Sequence, residues 1–367
     1  MPLGSSAGEK INVADDIKLD PEQERLAREQ AEKVREQLKI KSRIALVGFS
    51  GAGKSSLFNA ILGRPVSEEP AGGVKGTTAA HPEEVKGFIL VDCPGYGAAN
   101  MKPPEIILRE TMDPHVVIQI LNGAEGLHDQ DIALYRVLSR HVKTIVALNK
   151  IDILDPQERA EAESGALAKM GVLRQHFISV SARSGAGVEE LVRMVLANLP
   201  SGMREGFLGQ LEGHLSVKNE EAARVINYYA GGGAVVGLSP IPFSDLIAMY
   251  PMLVAMTIHV AMIYGHGEMS TTDAARLVTG AIGSGWLARF AVRQILKIIP
   301  GIGQMLGAAA VFATIQGYGR AITNYFSTGM KAPRDKLHEY FKAEYAKAEA
   351  EARKMDFSKL RQAQGGK

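Results

Sequence analysis

A glycine-rich segment near residue 50 has the residue types and spacing that bind phosphate groups. It matches the pattern G-x-x-x-x-G-K-[ST] in full. Its glycines allow backbone N–H groups to surround phosphates, the lysine reaches the β and γ oxygens, and the hydroxyl that follows binds Mg²⁺. The predicted phosphate-binding residues are Gly48, Ser50, Gly51, Ala52, Gly53, Lys54, Ser55 and Ser56.

Two further segments have the chemistry to detect a terminal phosphate. Asp92-Cys93-Pro94-Gly95 follows an apolar run, so that Asp92 could bind Mg²⁺ through water while the Gly95 N–H meets the γ-phosphate. Between this segment and the phosphate loop lies Gly76-Thr77-Thr78, in a glycine-rich stretch. A threonine there completes a Mg²⁺ shell only while the γ-phosphate is present, so we predict a nucleotide-dependent switch.

Two later segments predict which base is bound. Asn149-Lys150-Ile151-Asp152 has the N-K-x-D arrangement, in which the Asp152 carboxylate accepts hydrogen bonds from guanine N1–H and its N2 amino group. Adenine has no matching donors, and a site of this kind rejects the wrong base because a polar group is left unpaired. Ser181-Ala182-Arg183 follows the next apolar run, and its backbone could contact the guanine O6. The base is therefore predicted to be guanine.

The elements that must position these segments are short apolar strands alternating with helical patterns. This alternation predicts a mostly parallel sheet covered on both faces. Ligands bind beyond the carboxyl ends of such strands, so the motifs should meet at one edge. We predict an α/β domain with a mostly parallel six-stranded sheet; its clearest strands are 43–47, 88–91, 115–121, 144–148 and 176–180.

Together, these motifs resemble the translation-factor-related P-loop GTPases, most closely the Era-like group, over residues 42–200. The resemblance implies GTP and GDP as ligands, Mg²⁺ as cofactor and GTP hydrolysis as the activity. It identifies Asn149, Lys150 and Asp152 as base contacts, and it favours Thr78 over Thr77 as the metal ligand beside Ser55 and Asp92. It also assigns the catalytic roles to Lys54, Thr78 and Gly95.

Two positions depart from relatives of this group. Ras-like enzymes have a water-positioning glutamine directly after the D-x-x-G glycine, where this chain has Tyr96. We therefore expect slow intrinsic hydrolysis, or dependence on a group from a partner or second subunit. Potassium-activated relatives have an asparagine where this chain has Gly51, so potassium activation is not expected. The loop resembles that of immunity-related GTPases, which have helices on both sides of the G domain and often dimerise through it.

Composition limits the compartment and the partners. The formal charge of +2 and the lack of a basic stripe give no reason to expect a nucleic-acid partner. A single cysteine excludes an internal disulfide and fits a reducing compartment. The polar start of the chain does not resemble a signal peptide. We expect a cytoplasmic protein, peripheral at the inner membrane in one interpretation and integral in another.

The second half is strongly apolar. Two uncharged runs, 246–263 and 298–319, have the length of a membrane span, although proline and glycine interrupt them. The segment resembles the apolar domain attached to many bacterial Era-like GTPases, and we expect residues 234–320 to associate with a membrane as a soluble helical domain. True spans are the alternative.

Charged helices flank these two regions. The predicted divisions are 1–41, with a solvated helix from Pro21; 42–200, the nucleotide domain; 201–334, an apolar helical domain; and 335–367, a last amphipathic helix and tail. Together, the motifs and the domain order predict a GTPase whose switch loops are coupled to a helical domain. This domain is expected to associate with a membrane or with a second copy of the chain. A GTP-binding scaffold without useful turnover is the alternative that Tyr96 leaves open.

Overall fold

A computed structural model gives the fold. It describes residues 21–38, 42–64, 83–85, 88–93, 113–237, 244–283, 302–331 and 333–357. The α/β domain with a parallel sheet, followed by a mostly helical region, is confirmed. The strands are β1 (Ile44–Phe49), β2 (Glu83–Val85), β3 (Phe88–Cys93), β4 (Val116–Asn122), β5 (Lys143–Asn149) and β6 (Phe177–Ser179).

The strands form one sheet in the order β2-β3-β1-β4-β5-β6, and β2 alone pairs antiparallel. Every residue of β1 and β4 is buried, as expected of parallel strands covered on both faces. The helices that follow these strands supply the cover. Within the sheet, Gly48 pairs with Asp92 across β1 and β3, and Asn122 pairs with Asn149 across β4 and β5. The carboxyl ends of these strands therefore lie side by side.

The helices around and after the sheet follow in chain order. They are α1 (Pro21–Leu38), α2 (Lys54–Leu62), α3 (Asp129–His141), α4 (Pro156–Met170), α5 (Val188–Asn198), α6 (Arg204–Gln210), α7 (Leu215–Gly237), α8 (Ser244–Ile263), α9 (Thr271–Ile282), α10 (Ile302–Ser327) and α11 (Arg334–Ala352). Sequence signals for α4 are clear, because Asp155 accepts from the Gln157 and Glu158 amides and Gly171 ends the helix with φ of 69°.

The chain divides into two compact units. The sheet unit comprises Glu36–Glu221 and Met262–Gly267, and the helical unit comprises Met1–Arg35, Ala222–Ala261 and Glu268–Lys367. The sheet unit thus extends past residue 200, the predicted end of the nucleotide domain. Some of the extra residues, 211–214, cap the phosphate-loop helix α2.

The cap on α2 consists of residues 211–214. The Glu212 amide donates to Leu62 O at 2.7 Å, and His214 Nε2 donates to Ile61 O at 2.9 Å. A salt bridge of 2.6 Å joins Arg64 to Glu212. The last carbonyls of a helix have no partner within the helix, so these bonds satisfy them. Arg64 therefore joins the end of α2 to this cap.

Close approaches between helices organise the helical unit. A Cβ on Gly233 of α7 would lie 2.2 Å from Ile315 Cδ1 of α10, and one on Gly317 would lie 2.7 Å from the backbone of Tyr345 in α11. Such glycines allow helices to pack at short distance. Larger side chains at Gly233 and Gly317 would therefore not fit between these helices.

The helices at the two ends of the chain both bury apolar residues. In α11, which begins one residue before the predicted start, Leu337, Phe341 and Ala348 are buried. In α1, Ala27, Ala31 and Val34 form a buried seam at 2%, 0% and 9% exposure, while charged residues such as Arg28 and Lys33 are exposed, as in a solvated helix.

The described parts of the two apolar runs lie in α8 and α10, which also contain proline or polar residues. Pro251 lies inside α8, and Thr257 in the same helix bonds to Tyr318 at 2.7 Å. Within the parts of the chain that the structure describes, no helix combines the length and hydrophobicity that a membrane crossing needs.

Candidate functional site

The phosphate loop connects β1 to α2 at the carboxyl edge of the sheet. Gly51 and Gly53 adopt φ of 82° and 87°, a left-handed conformation that glycine accepts without strain. A Cβ at Gly48 would lie 2.6 Å from Ile120 O, so only glycine fits against β4 there. The structure thus explains all three glycines of the motif and confirms the predicted strand, loop and helix.

Lys54 begins α2, and its ammonium group lies within the loop. Its Nζ donates to Gly48 O at 2.9 Å and to Phe49 O at 3.0 Å, and the residue is only 9% exposed. A lysine in this position presents positive charge at the N-terminus of a helix, where the helix dipole also favours an anion. Ser55 and Ser56 follow in the first turn of α2 and are half-buried.

Asn149, at the end of β5, links the phosphate loop to the loop after β6. Its Nδ2 donates to Ala52 O at 2.9 Å, and its Oδ1 accepts from the Ala182 amide at 3.1 Å. The side chain is 1% exposed. Its predicted contact with a base stays a prediction. What the structure shows is that Asn149 joins the predicted phosphate and base segments directly.

Asp152 lies exposed after β5, with its carboxylate oriented by Ser181. The Ser181 hydroxyl, fully buried, donates to Asp152 Oδ1 at 2.7 Å. This hydrogen bond has the largest effect on the pKa of Asp152 and lowers it. Desolvation, the next largest effect, opposes the lowering, while a backbone hydrogen bond and the charges of Arg183 and Lys150 add to it. The carboxylate is therefore ionised and able to accept. Lys150 has φ of 67°, the backbone conformation that turns the chain between β5 and Asp152.

The three amides of residues 181–183 are partly engaged within the protein. The Ser181 amide donates to Ala186 O at 2.8 Å, and the Ala182 amide donates to Asn149 Oδ1. A hydrogen bond from the Ala182 amide to a guanine O6 would have to share or replace its bond to Asn149 Oδ1. The sequence had assigned Ser181 a backbone role only, and it gave no sign of the side-chain bond to Asp152.

Asn122, at the end of β4, is a residue of this edge that the motif analysis missed. Its Nδ2 lies 3.3 Å from Gly51 O, and its Oδ1 accepts from the Ala124 amide at 3.1 Å. The signal for it was available, because Asn122 is the polar residue that directly follows an apolar strand, as Asp92 and Asn149 do.

Most of the predicted metal and switch residues lie outside the part of the chain that the structure describes. Thr77, Thr78, Gly95 and Tyr96 fall outside the described residues, and Asp92 is described only as a backbone position of β3. Among the described residues, no group of three or more histidine, cysteine or acidic side chains could bind a metal ion by itself. A site of the predicted type needs no such group, because Mg²⁺ bound with a nucleotide takes phosphate oxygens, waters and one or two protein ligands.

Comparisons with known proteins find similarity over part of the chain. Residues 43–150 match the family described as 50S ribosome-binding GTPase. GTPase Der of Chlorobaculum tepidum is 36% identical over 171 residues, which cover 44% of this chain and 38% of Der. Translation initiation factor IF-2 of Kosmotoga olearia is 26% identical over 207 residues, covering 53% of this chain and 29% of the factor.

Solved structures similar to this chain include two of Era. One is Era in complex with MgGDPNP and nucleotides 1506–1542 of 16S ribosomal RNA, with 26% identity, 44% of this chain and 57% of that chain covered, and a TM-score of 0.35. The other is a variant of Aquifex aeolicus Era bound to GDP and AlF4⁻, with 25% identity, 53% and 68% coverage, and a TM-score of 0.37.

The matched part of the chain is therefore similar to the 50S ribosome-binding GTPase family and to GTPase Der. The chain spans about two fifths of the length of the Der proteins it matches. The resemblance drawn from the motifs is confirmed at this level, while the layout of immunity-related GTPases and the type of the C-terminal domain stay predictions.

Proposed function

We propose that this protein binds GTP and GDP with Mg²⁺ and hydrolyses GTP to GDP and phosphate. The observation that carries the proposal is the Asn149 side chain, which bonds to the phosphate loop through Ala52 and to the base segment through Ala182. A nucleotide with its phosphates on the phosphate loop and its base at residues 181–183 would therefore contact two segments that Asn149 holds together.

Selectivity for guanine would come from Asp152. Its carboxylate is ionised and exposed, and Ser181 engages one of its oxygens. A carboxylate in this position can accept from guanine N1–H and N2 together, whereas adenine would leave it without those bonds. Lys150 and Arg183 are positive groups near Asp152 that add to the lowering of its pKa, to which the Ser181 hydrogen bond contributes most.

The phosphates would lie along the loop and the start of α2. Lys54 brings its charge to the β and γ oxygens, and the N-terminus of α2 adds amide donors. Ser55, Thr78 and Asp92 would bind Mg²⁺, which neutralises charge that develops on the phosphates during transfer. Gly95 would donate its amide to the γ-phosphate, so that Thr78 and Gly95 respond to the presence of that group.

A slow intrinsic rate is part of the proposal, because Tyr96 replaces the water-positioning glutamine. A group from a partner or a second subunit would then raise the rate, as an inserted arginine does by roughly 10³–10⁵ in related phosphoryl transfer.

Phosphate release from GTP, with ATP as the competing substrate, tests this function. We expect release from GTP only, abolished in Lys54→Ala through loss of phosphate contacts. Asp152→Asn should shift preference from GTP toward xanthosine triphosphate, whose base accepts at the position where guanine donates. Equal use of ATP and GTP would contradict the guanine site. Tight GTP binding without any phosphate release would favour a non-hydrolysing scaffold.

For the helical half, we propose that nucleotide state controls its association with a membrane or with a second copy. The apolar composition and three exposed side chains, Tyr228, Met305 and Leu306, support this. The same assay, repeated over a range of protein concentrations with and without liposomes, tests it. A specific activity that rises with concentration indicates self-association, and one that rises with lipid indicates a membrane. An activity constant under both conditions would reject the proposal.

A further inference from the structure

Two asparagines at neighbouring strand ends contact consecutive carbonyls of the phosphate loop. Asn122 and Asn149 are partners in the register of β4 and β5. Asn122 Nδ2 lies 3.3 Å from Gly51 O, and Asn149 Nδ2 lies 2.9 Å from Ala52 O. Both side chains are 1% exposed. The sheet therefore presents two amide donors side by side beneath the loop.

The contact from Asn122 constrains one peptide plane of the loop. The amide at the other end of that plane, of Ala52, donates to Phe49 O at 3.1 Å. A planar trans peptide has its C=O and N–H on opposite sides, so bonds at both ends determine its orientation. Without the bond at Gly51 O, this plane would be anchored at one end only. Gly51 has no side chain and is exposed, so nothing else at that residue replaces the anchor.

Asn122 also organises the turn beside the loop. Its Oδ1 accepts from the Ala124 amide, and its backbone carbonyl accepts from Glu125 and Gly126, both at 3.2 Å. These bonds fix the turn that follows β4 and, with it, the rotamer of the Asn122 side chain. The donor that contacts Gly51 O is therefore positioned before any ligand arrives.

We propose that Asn122 is a positioning residue that pre-orients the phosphate loop for the nucleotide. This rests on the proposed function. It acts through the Gly51 peptide and touches no reacting atom. The loop meets the phosphates that GTP and GDP share, so Asn122 should contribute equally to the binding of both nucleotides. Loss of its contact should therefore raise KM without changing kcat.

The test is nucleotide affinity of three variants, measured by titration with GTP and with GDP. For Asn122→Ala we expect affinity for both nucleotides to fall roughly fivefold to tenfold, the effect of losing one part-buried hydrogen bond. The rate at saturation should stay within about twofold, and the preference for GTP over xanthosine triphosphate should not change. Asn198→Ala is the matched control, because Asn198 Nδ2 donates to Met194 O at 2.8 Å away from the loop.

Asn122→Asp separates the loop contact from the turn. A carboxylate has the shape of the amide and can still accept from Ala124, but it has no donor for Gly51 O. We expect it to lose affinity as Asn122→Ala does, at low and high salt alike. Recovery of wild-type affinity in Asn122→Asp would assign the residue to the turn and overturn the proposal. A loss of affinity in Asn122→Asp that disappears at high salt would also overturn the proposal, because such a loss would reflect only the added negative charge.

The result separates this inference from the proposed function. If the wild-type protein binds neither GTP nor GDP, the proposed function fails and the inference with it. If the wild type binds both and Asn122→Ala binds them as tightly as Asn198→Ala does, only the inference fails. Thermal unfolding of each variant checks that a loss of affinity is not a loss of fold.

Discussion

The buried hydroxyl of Ser181 donates to Oδ1 of the exposed Asp152 at 2.7 Å. Ser181 Oγ also accepts from the Ser184 amide at 3.0 Å, so its hydrogen is directed toward the carboxylate. One oxygen of Asp152 is thereby oriented by the protein. Discrimination between bases needs such fixed geometry, because a carboxylate free to rotate would accept from a ligand at greater entropic cost.

Ser181→Ala should weaken guanine nucleotide binding by about threefold to tenfold through loss of this orientation. It should also raise the pKa of Asp152 toward its ordinary value, because the hydrogen bond is the largest cause of the lowering. Carboxyl NMR of Asp152 across an acid titration measures the pKa, and nucleotide titration measures the affinity. Ser164→Ala is the control, since Ser164 Oγ bonds to Glu161 O on the surface of α4.

The sign of the pH effect follows from the direction of that pKa. A lowered pKa keeps Asp152 ionised in wild type until the pH falls below the ordinary carboxyl range near 4. Guanine selectivity should therefore persist to lower pH in wild type than in Ser181→Ala. Identical pH profiles for the two proteins would show that Ser181 does not influence the carboxylate.

Gly53→Ala should disrupt the link between the phosphate loop and β5. The added Cβ would lie 2.5 Å from Asn149 Nδ2, at a residue whose φ is 87°. Backbone strain of this kind costs about 1–3 kcal/mol, and displacement of Asn149 should reduce nucleotide affinity as well. Gly171→Ala provides the control, with a similar φ of 69° and no atom within 4 Å of the new Cβ. Equal nucleotide affinity in the two variants would contradict the role given to the link.

Gly63→Ala tests the cap at the other end of α2. The residue has φ of 75°, and a Cβ would lie 1.8 Å from Glu212 O. The segment 211–214 would have to move away from α2, so we expect a loss of unfolding free energy of about 3 kcal/mol, against about 1–2 kcal/mol for Gly171→Ala. Urea denaturation measures both. A loss no greater than that of Gly171→Ala would mean that the cap adapts without cost.

Because of Lys218, we expect the free energy of unfolding to rise as the pH increases above about 8. Burial lowers the pKa of this lysine to about 8, although its Nζ donates to Leu211 O at 2.8 Å. Between pH 8 and the ordinary lysine pKa near 10.4, the unfolded chain binds more protons at this position than the folded protein. The free energy of unfolding should therefore gain up to about 1.4 kcal/mol per pH unit from Lys218 in this range.

Lys218→Met isolates that contribution from those of other groups. The difference in unfolding free energy between wild type and variant, measured in urea at pH 7.5 and pH 9.5, should shift in favour of wild type at the higher pH. Tyr264, whose ring lies 6.0 Å from Lys218 Nζ, does not titrate in this window because burial raises its pKa. A difference independent of pH would show that Lys218 is charged in the folded protein.

The motifs at the strand ends could be predicted because they depend on short stretches of chain. The spacing from Gly48 to Ser55 determines a loop, and the run before Asn149 determines a strand that ends where the polar residues begin. The phosphate loop, the order of the segments and their location at one edge of the sheet all follow from such local patterns.

The bonds that join these segments depend on contacts between residues far apart in sequence. The register of β4 against β5 brings Asn122 beside Asn149, and the packing of the chain after α6 places Glu212 and His214 on the end of α2. No local periodicity indicates such pairs, because each residue is an ordinary polar residue until its partner is known. The sequence alone therefore determined which chemistry the site could perform. Tertiary structure decided which side chains orient it, since orientation requires groups brought together only by folding.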